Sequence, residues 1–151
     1  MRIREDNLSG DGVARLLREH LDEMRAVTPP ESVHALDIDS LRSPDITFWS
    51  VWDEEELVGC GALKELDATS GEIKSMRTHP VARRRGVSSK LLEHIIEEAK
   101  RRSYVALYLE TGAMPEFEPA RRLYLRYGFE IGPPFGDYLD DPNSVFMSKT
   151  L

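Results

Sequence analysis

Met76-Arg77-Thr78-His79-Pro80-Val81-Ala82-Arg83-Arg84-Arg85-Gly86-Val87-Ser88-Ser89-Lys90-Leu91 decides the fold, because a strand ends, a basic glycine loop follows and a helix opens within it. Val87, Leu91, Ile95 and Ala99, flanked by Leu92 and Ile96, recur at helical period and predict an amphipathic helix over residues 86–102. Three arginines stand just before it, where the helix dipole is already positive. Each such charge costs roughly 0.3–1 kcal/mol unless an anion reverses the sign. The first amides of a helix point outward unsatisfied and Gly86 has no Cβ to block approach, so the backbone of residues 84–88 can cradle a diphosphate. Taken alone, the run reads equally as a basic surface turn paired with carboxylates. Two competing phosphate motifs fail on spacing. Gly86-Val87-Ser88-Ser89-Lys90 lacks the glycine a P-loop needs ahead of its lysine, and Gly59-Cys60-Gly61 lies inside a strand rather than before a helix.

Upstream, residues 72–78 read as the third strand of a meander whose earlier members, 46–52 and 57–66, flank the acidic turn Asp53-Glu54-Glu55-Glu56. Residues 2–4 suit a short first strand. Val13, Leu16, Leu17, Leu21 and Met24 make a helical stripe that Thr28-Pro29-Pro30 breaks, and Val33, Leu36 and Leu41 suggest a short second helix. Downstream come a strand over 104–110, a helix over 118–127 stopped by Gly128-Phe129, and a last strand over 145–151. Helices alternate with strands only in the second half. The expectation is therefore a mixed α/β fold in one domain spanning 1–151, its sheet mostly antiparallel and flanked by helices.

A net charge of −7 and a pI near 5.1 argue against nucleic acid and anionic membranes as partners, and suit a cationic substrate. The single cysteine, Cys60, cannot form an internal disulfide and reads as a small buried residue. The opening Met1-Arg2-Ile3-Arg4-Glu5-Asp6 offers no apolar leader, so the expected compartment is the cytoplasm. His20, His34, His79 and His94 show no ligand spacing with Cys60, and no metal is expected.

Arg83-Arg84-Arg85-Gly86-Val87-Ser88 resembles the coenzyme loop Q/R-x-x-G-x-G/A of the GCN5-related N-acetyltransferase family, departing from it at Ser88. Met76-Arg77-Thr78-His79-Pro80 is similar to that family's fourth-strand end, and Leu123-Tyr124-Leu125-Arg126-Tyr127-Gly128-Phe129 to its aromatic and Gly-Phe segment. The resemblance implies a sheet splayed between the fourth and fifth strands and acetyl-CoA as co-substrate. It places the diphosphate on Arg83, Arg84, Arg85, Gly86, Val87 and Ser88, and the pantetheine arm on main-chain groups of Met76 and Thr78.

Acetyl transfer from a thioester to an amine needs a neutral amine, a polarised carbonyl and a proton for the leaving thiolate. A lysine-like amine of pKa about 10.4 is only about one part in a thousand neutral near pH 7.4, a cost of roughly 4 kcal/mol that a general base offsets. Glu72 matches the family's strand glutamate and is the candidate base, expected on one alternating face with Lys74, Met76 and Thr78. The competing reading is a surface carboxylate neutralised by Lys74. Tyr124 matches the tyrosine that serves the coenzyme sulfur as general acid; otherwise it is a packing tyrosine. Tyr127, one turn on, reads as packing or an adenine-side contact. Phe117, Tyr138, Asp137, Asp140 and Asp141 lie in loops that read either as the acceptor border or as a solvated loop, and of Trp49 and Trp52, on opposite faces, at most one is expected in the core and the other towards the acceptor cleft. The resulting expectation is an N-acetyltransferase acting by direct attack of a small-molecule or peptide amine. A non-catalytic acyl-CoA sensor is the alternative, and a homodimer is left open.

Overall fold

Alternation in the strands sorts side chains onto two faces of a seven-stranded sheet, ordered β1-β2-β3-β4-β5-β7-β6 in the computed structural model, which describes residues 1–151. The strands are β1 (Arg2–Glu5), β2 (Ile46–Asp53), β3 (Glu56–Asp67), β4 (Ser70–Thr78), β5 (Ala106–Gly112), β6 (Glu130–Gly132) and β7 (Ser144–Thr150). All neighbours run antiparallel except β4 and β5. Helices α3 (Val87–Arg101) and α4 (Glu118–Arg126) cover one face, where Leu63, Ile73, Leu107 and Leu109 meet Leu91, Leu92, Ile95 and Leu123. Helix α1 (Asp11–Val27) and the single turn α2 (Ile38–Leu41) cover the other, where Val13, Leu16, Leu17 and Leu41 pack on Phe48, Cys60 and Ala62. The mixed, mostly antiparallel sheet is as expected. β6 was not foreseen, because three residues exposed along their length carry no periodic signal. No helix is long and apolar enough to cross a membrane.

Two irregularities in β4 shape everything that follows. Between Cys60↔Arg77 and Ala62↔Lys74, β3 advances two residues while β4 advances three, so β4 carries a bulge, with Ser75 in the left-handed region at φ 55°. β4 also pairs with β5 only from Ser70↔Ala106 to Ile73↔Leu109. Beyond Ile73 the two strands part, and the facing edge of β4 makes no ladder to β5.

The bulge corrects the expectation of one alternating face for residues 72, 74, 76 and 78. Glu72 and Lys74 lie opposite Lys64 and Ala62 on the α1 face, and Arg77 reaches Glu23 of α1. Met76 and Thr78 turn to the α3 face. A side chain added at Gly61 would strike the Met76 sulfur and Leu91, and the Thr78 hydroxyl meets that of Ser88. One extra residue reverses side-chain parity, and it does so between the two halves of the candidate site. The tryptophans do divide between faces, Trp49 entering the α3-side core. Trp52 does not look into the cleft: its ring lies under the Arg4 guanidinium at 4.8 Å and its Nε1 donates to Ser50 Oγ at 2.8 Å.

Candidate active site

A short turn, Pro80–Ala82, leads from β4 into the arginine loop, where two left-handed residues, Arg84 at φ 69° and Gly86 at φ 78°, coil the chain into α3. No side chain caps the helix, and the amides of Gly86, Val87, Ser88 and Ser89 donate to no group of the chain. Nothing lies within 4 Å of where a Cβ would sit on Gly86. Arg83 stands 3.7 Å from Glu23, and Arg85 3.7 Å from Asp53. Both are exposed pairs worth at most about 1 kcal/mol and readily exchanged for a stronger anion. Val87 is buried in the core. The Ser88 hydroxyl bonds to Thr78, so it is turned back against the strand rather than into the loop mouth.

His79 N–H donates to Val58 O at 2.8 Å, which by antiparallel alternation turns the main-chain groups of Arg77 towards β3 and those of Met76 and Thr78 towards the parted edge. At the mouth of that gap lies a cavity of about 110 Å³ lined by Glu72, Ser75, Met76, Glu110, Tyr124 and Tyr138 among others. The Tyr124 ring packs edge-on against Phe129 at 5.7 Å; burial, and secondarily the Glu110 charge, pushes its hydroxyl above the usual tyrosine range. Ser75, which lines the same cavity, has its Oγ buried without a partner in the chain.

On the α1 face the cavity meets a wide cleft of about 1190 Å³. Glu72 is not a surface carboxylate, being only 4% exposed. Its Oε2 accepts from Tyr138 Oη at 2.6 Å and from Lys74 Nζ at 3.1 Å, while Lys74 Nζ also donates to Tyr138 Oη at 2.9 Å. Oε1 is left without a protein partner. The pairing with Lys74 anticipated from sequence is therefore present, but inside the site. Tyr108, Phe135, Tyr138 and Phe146 form an aromatic wall with ring centroids 5.0–6.0 Å apart. Asp137, Asp140 and Asp141 line the cleft as placed from sequence, and Asp141 is tied to Ser32. Phe117 instead lines the small cavity, its ring filling the space a side chain on Gly112 would need. Tyr127 lies outside the cavity, donating to Glu93 and packing on the α3-side core.

A family model, the acetyltransferase (GNAT) family, matches residues 13–129. The chain belongs to the GNAT acetyltransferase family. Over all 151 residues, and all of the relative, it is 57% identical to the N-acetyltransferase YsnE of Bacillus subtilis (strain 168). Among solved structures, an acyl-CoA N-acyltransferase of Klebsiella pneumoniae superposes with a TM-score of 0.80 at 27% identity, over 99% of this chain and 97% of that one. A GNAT acetyltransferase of Elizabethkingia anophelis, solved with acetyl-CoA bound, has the same fold at 18% identity, with a TM-score of 0.69 over 99% and 97% of the two chains.

In this GNAT chain the carboxylate unforeseen from sequence is Glu110. It follows Tyr108 by two on β5, and Tyr108 stands beside Glu72 in the parallel register, so parity alone could have found it. Burial raises its pKa, against the opposing pull of a 2.8 Å hydrogen bond from Ser144 and of the His34 and Lys74 charges. His20 of α1 also lines the cavity; burial and then the Arg77 charge lower its imidazole to about 4, with Glu23 opposing. Unfolded imidazole near 6.5 takes a proton that the folded one refuses, so stability present above about pH 6.5 is lost as pH falls towards 4, by on the order of 3 kcal/mol. His20→Gln is expected to flatten this acid limb in urea denaturation between about pH 7 and 4.5. An unchanged slope would remove His20 as its source.

Proposed function

We propose that this acetyltransferase moves the acetyl group of acetyl-CoA to a primary amine of a small molecule or peptide by direct attack. The observation that carries the reading is that Glu72 and Tyr124 line one cavity, at the place where β4 and β5 part. In this reading the diphosphate rests on the backbone of residues 84–88, where the amides of 86–88 are free to donate, and on Arg83, Arg84 and Arg85, with Val87 anchoring the helix start. The pantetheine arm extends β4 through the main chain of Met76 and Thr78, and Tyr127 borders the adenine end. Amines enter from the wide cleft, where eight lining residues are Asp or Glu against two lysines, a field that draws cations.

Glu72 Oε1 takes the amine proton, directly or through a water. Attack forms the N–C bond, and collapse breaks the C–S bond. Tyr124, kept protonated by burial, donates a hydrogen bond to the departing sulfur. Because a thiol ionises near pH 8.5, a tyrosine raised above its usual range stabilises the thiolate better than it fully protonates it. The test is calorimetry with acetyl-CoA, then thiol release over a library of amines. Tyr124→Phe is expected to bind acetyl-CoA as wild type does while kcat falls about tenfold or more. Absence of heat with acetyl-CoA sinks the donor reading. Heat without thiol release for any amine leaves an acyl-CoA sensor.

A further inference from the structure

The amine nearest the candidate base belongs to the chain itself. Lys74 Nζ stands 3.1 Å from Glu72 Oε2 and 2.9 Å from Tyr138 Oη, and its ammonium lies 5.6 Å from the Tyr138 ring centroid. Lys74 lines both the wide cleft and the small cavity shared by Glu72 and Tyr124. None of the other lysines lines that cavity: Lys64 sits farther out in the cleft, Lys149 is bonded to Tyr127 O, and Lys90 and Lys100 are exposed. Lys74 shares the Glu72 face through the regular ladder of residues 71–74, and the bulge at Ser75 turns the next residue, Met76, away from it.

We propose that Lys74 is an acceptor, so that with acetyl-CoA and no other amine the chain acetylates its own Nζ. This rests on the donor and catalytic reading above. The Lys74 ammonium passes one proton to Glu72, and its freed lone pair attacks the thioester carbonyl. The tetrahedral adduct expels the sulfur with cleavage of the C–S bond. Of the two protons then left on nitrogen, the amide keeps one and the other passes through water to the thiolate, which Tyr124 stabilises by a hydrogen bond. Glu72 returns its proton to solvent. The products are an Nζ-acetylated Lys74, coenzyme A thiol and one proton.

Deprotonation is the obstacle for any lysine, and here the recipient oxygen is already in hydrogen-bond contact. The product is neutral and cannot pair with Glu72. Acetylation therefore removes the cation beside Glu72 Oε2, and a second amine entering the cleft meets a carboxylate held only by the Tyr138 hydroxyl.

Uncatalysed acetylation by a thioester favours exposed amines, so Lys90 and Lys100 should outrun a Lys74 side chain that is 9% exposed and ion-paired. The order of modification in the wild-type chain is thus the readout. The full-length protein is incubated with isotopically labelled acetyl-CoA without added amine and followed by intact mass spectrometry and peptide mapping, with calorimetry in parallel. One acetyl per chain on Lys74, ahead of Lys90 and Lys100, is expected. Glu72→Gln should slow it at least about 100-fold, and Lys74→Arg, which keeps a cation beside Glu72, should abolish the single modification. Modification of Lys90 or Lys100 first, or an equal Lys74 rate in Glu72→Gln, overturns the proposal. So does an unmodified Lys74 in a protein that binds acetyl-CoA and releases thiol with an added amine, and that result leaves the donor reading standing. No heat with acetyl-CoA overturns both.

Discussion

Glu72→Gln is expected to lower kcat for amine acetylation by about 10²–10⁴-fold with acetyl-CoA affinity unchanged. The magnitude is that of a lost general base, and the geometry says why little else should move. Gln keeps the shape of Glu and an oxygen that accepts from Tyr138 and Lys74, the two donors now on Oε2. It lacks only the negative charge that receives a proton. The proposed coenzyme loop should be insulated, because the amides of residues 86–89 lie on the far side of the bulge from Glu72. Steady-state kinetics on the best amine, with calorimetry of acetyl-CoA, separates the outcomes. A wild-type kcat would remove Glu72 as base and direct attention to Glu110, across the gap in the same cavity.

The second large effect is on stability. Leu91→Ala is expected to cost about 2–5 kcal/mol, the range for emptying a fully buried leucine site. In a chain of 151 residues this is a fall in Tm of roughly 4–20 °C. Leu91 is 1% exposed on the helix that begins at the arginine loop, and it packs where Gly61 lets α3 approach β3 beside Met76. The cavity cannot easily collapse, since the space is bounded by Ile95 and the sheet backbone. The same site offers a linkage test. Acetyl-CoA at about 100 times its Kd should restore about 2.7 kcal/mol to wild type and variant alike if the loop itself is intact. Thermal melts with and without coenzyme read both numbers.

The basic loop and the helix after it were legible because their signal is local. α3 begins and ends within one residue of the expected 86–102, its apolar stripe is the buried one, and Gly128 takes the left-handed turn that stops α4. Cys60 likewise sits at zero exposure, its thiol pushed up to about 12 by burial, the small core residue expected. The acceptor half was less legible because its geometry comes from pairing between distant segments. Nothing in Glu72-Ile73-Lys74-Ser75-Met76 announces an extra residue, since Ser75 is neither glycine nor asparagine, yet its positive φ decides which face Met76 serves. Nor could sequence foresee that Tyr138, sixty-six positions from Glu72, closes the triangle with Lys74.

The bulge at Ser75 has a consequence for how such a chain diversifies. It sends Glu72 and Lys74 to one face and Met76 and Thr78 to the other, so that on the proposed reading the acceptor and the coenzyme draw on opposite faces of one strand. On the proposed reading, substitutions among the cleft-lining residues 135–143 are expected to change which amine is accepted while leaving the loop ahead of α3 untouched. Ser75 is the hinge of that division: removing it would restore a regular ladder and turn one half of the strand's side chains to the wrong audience.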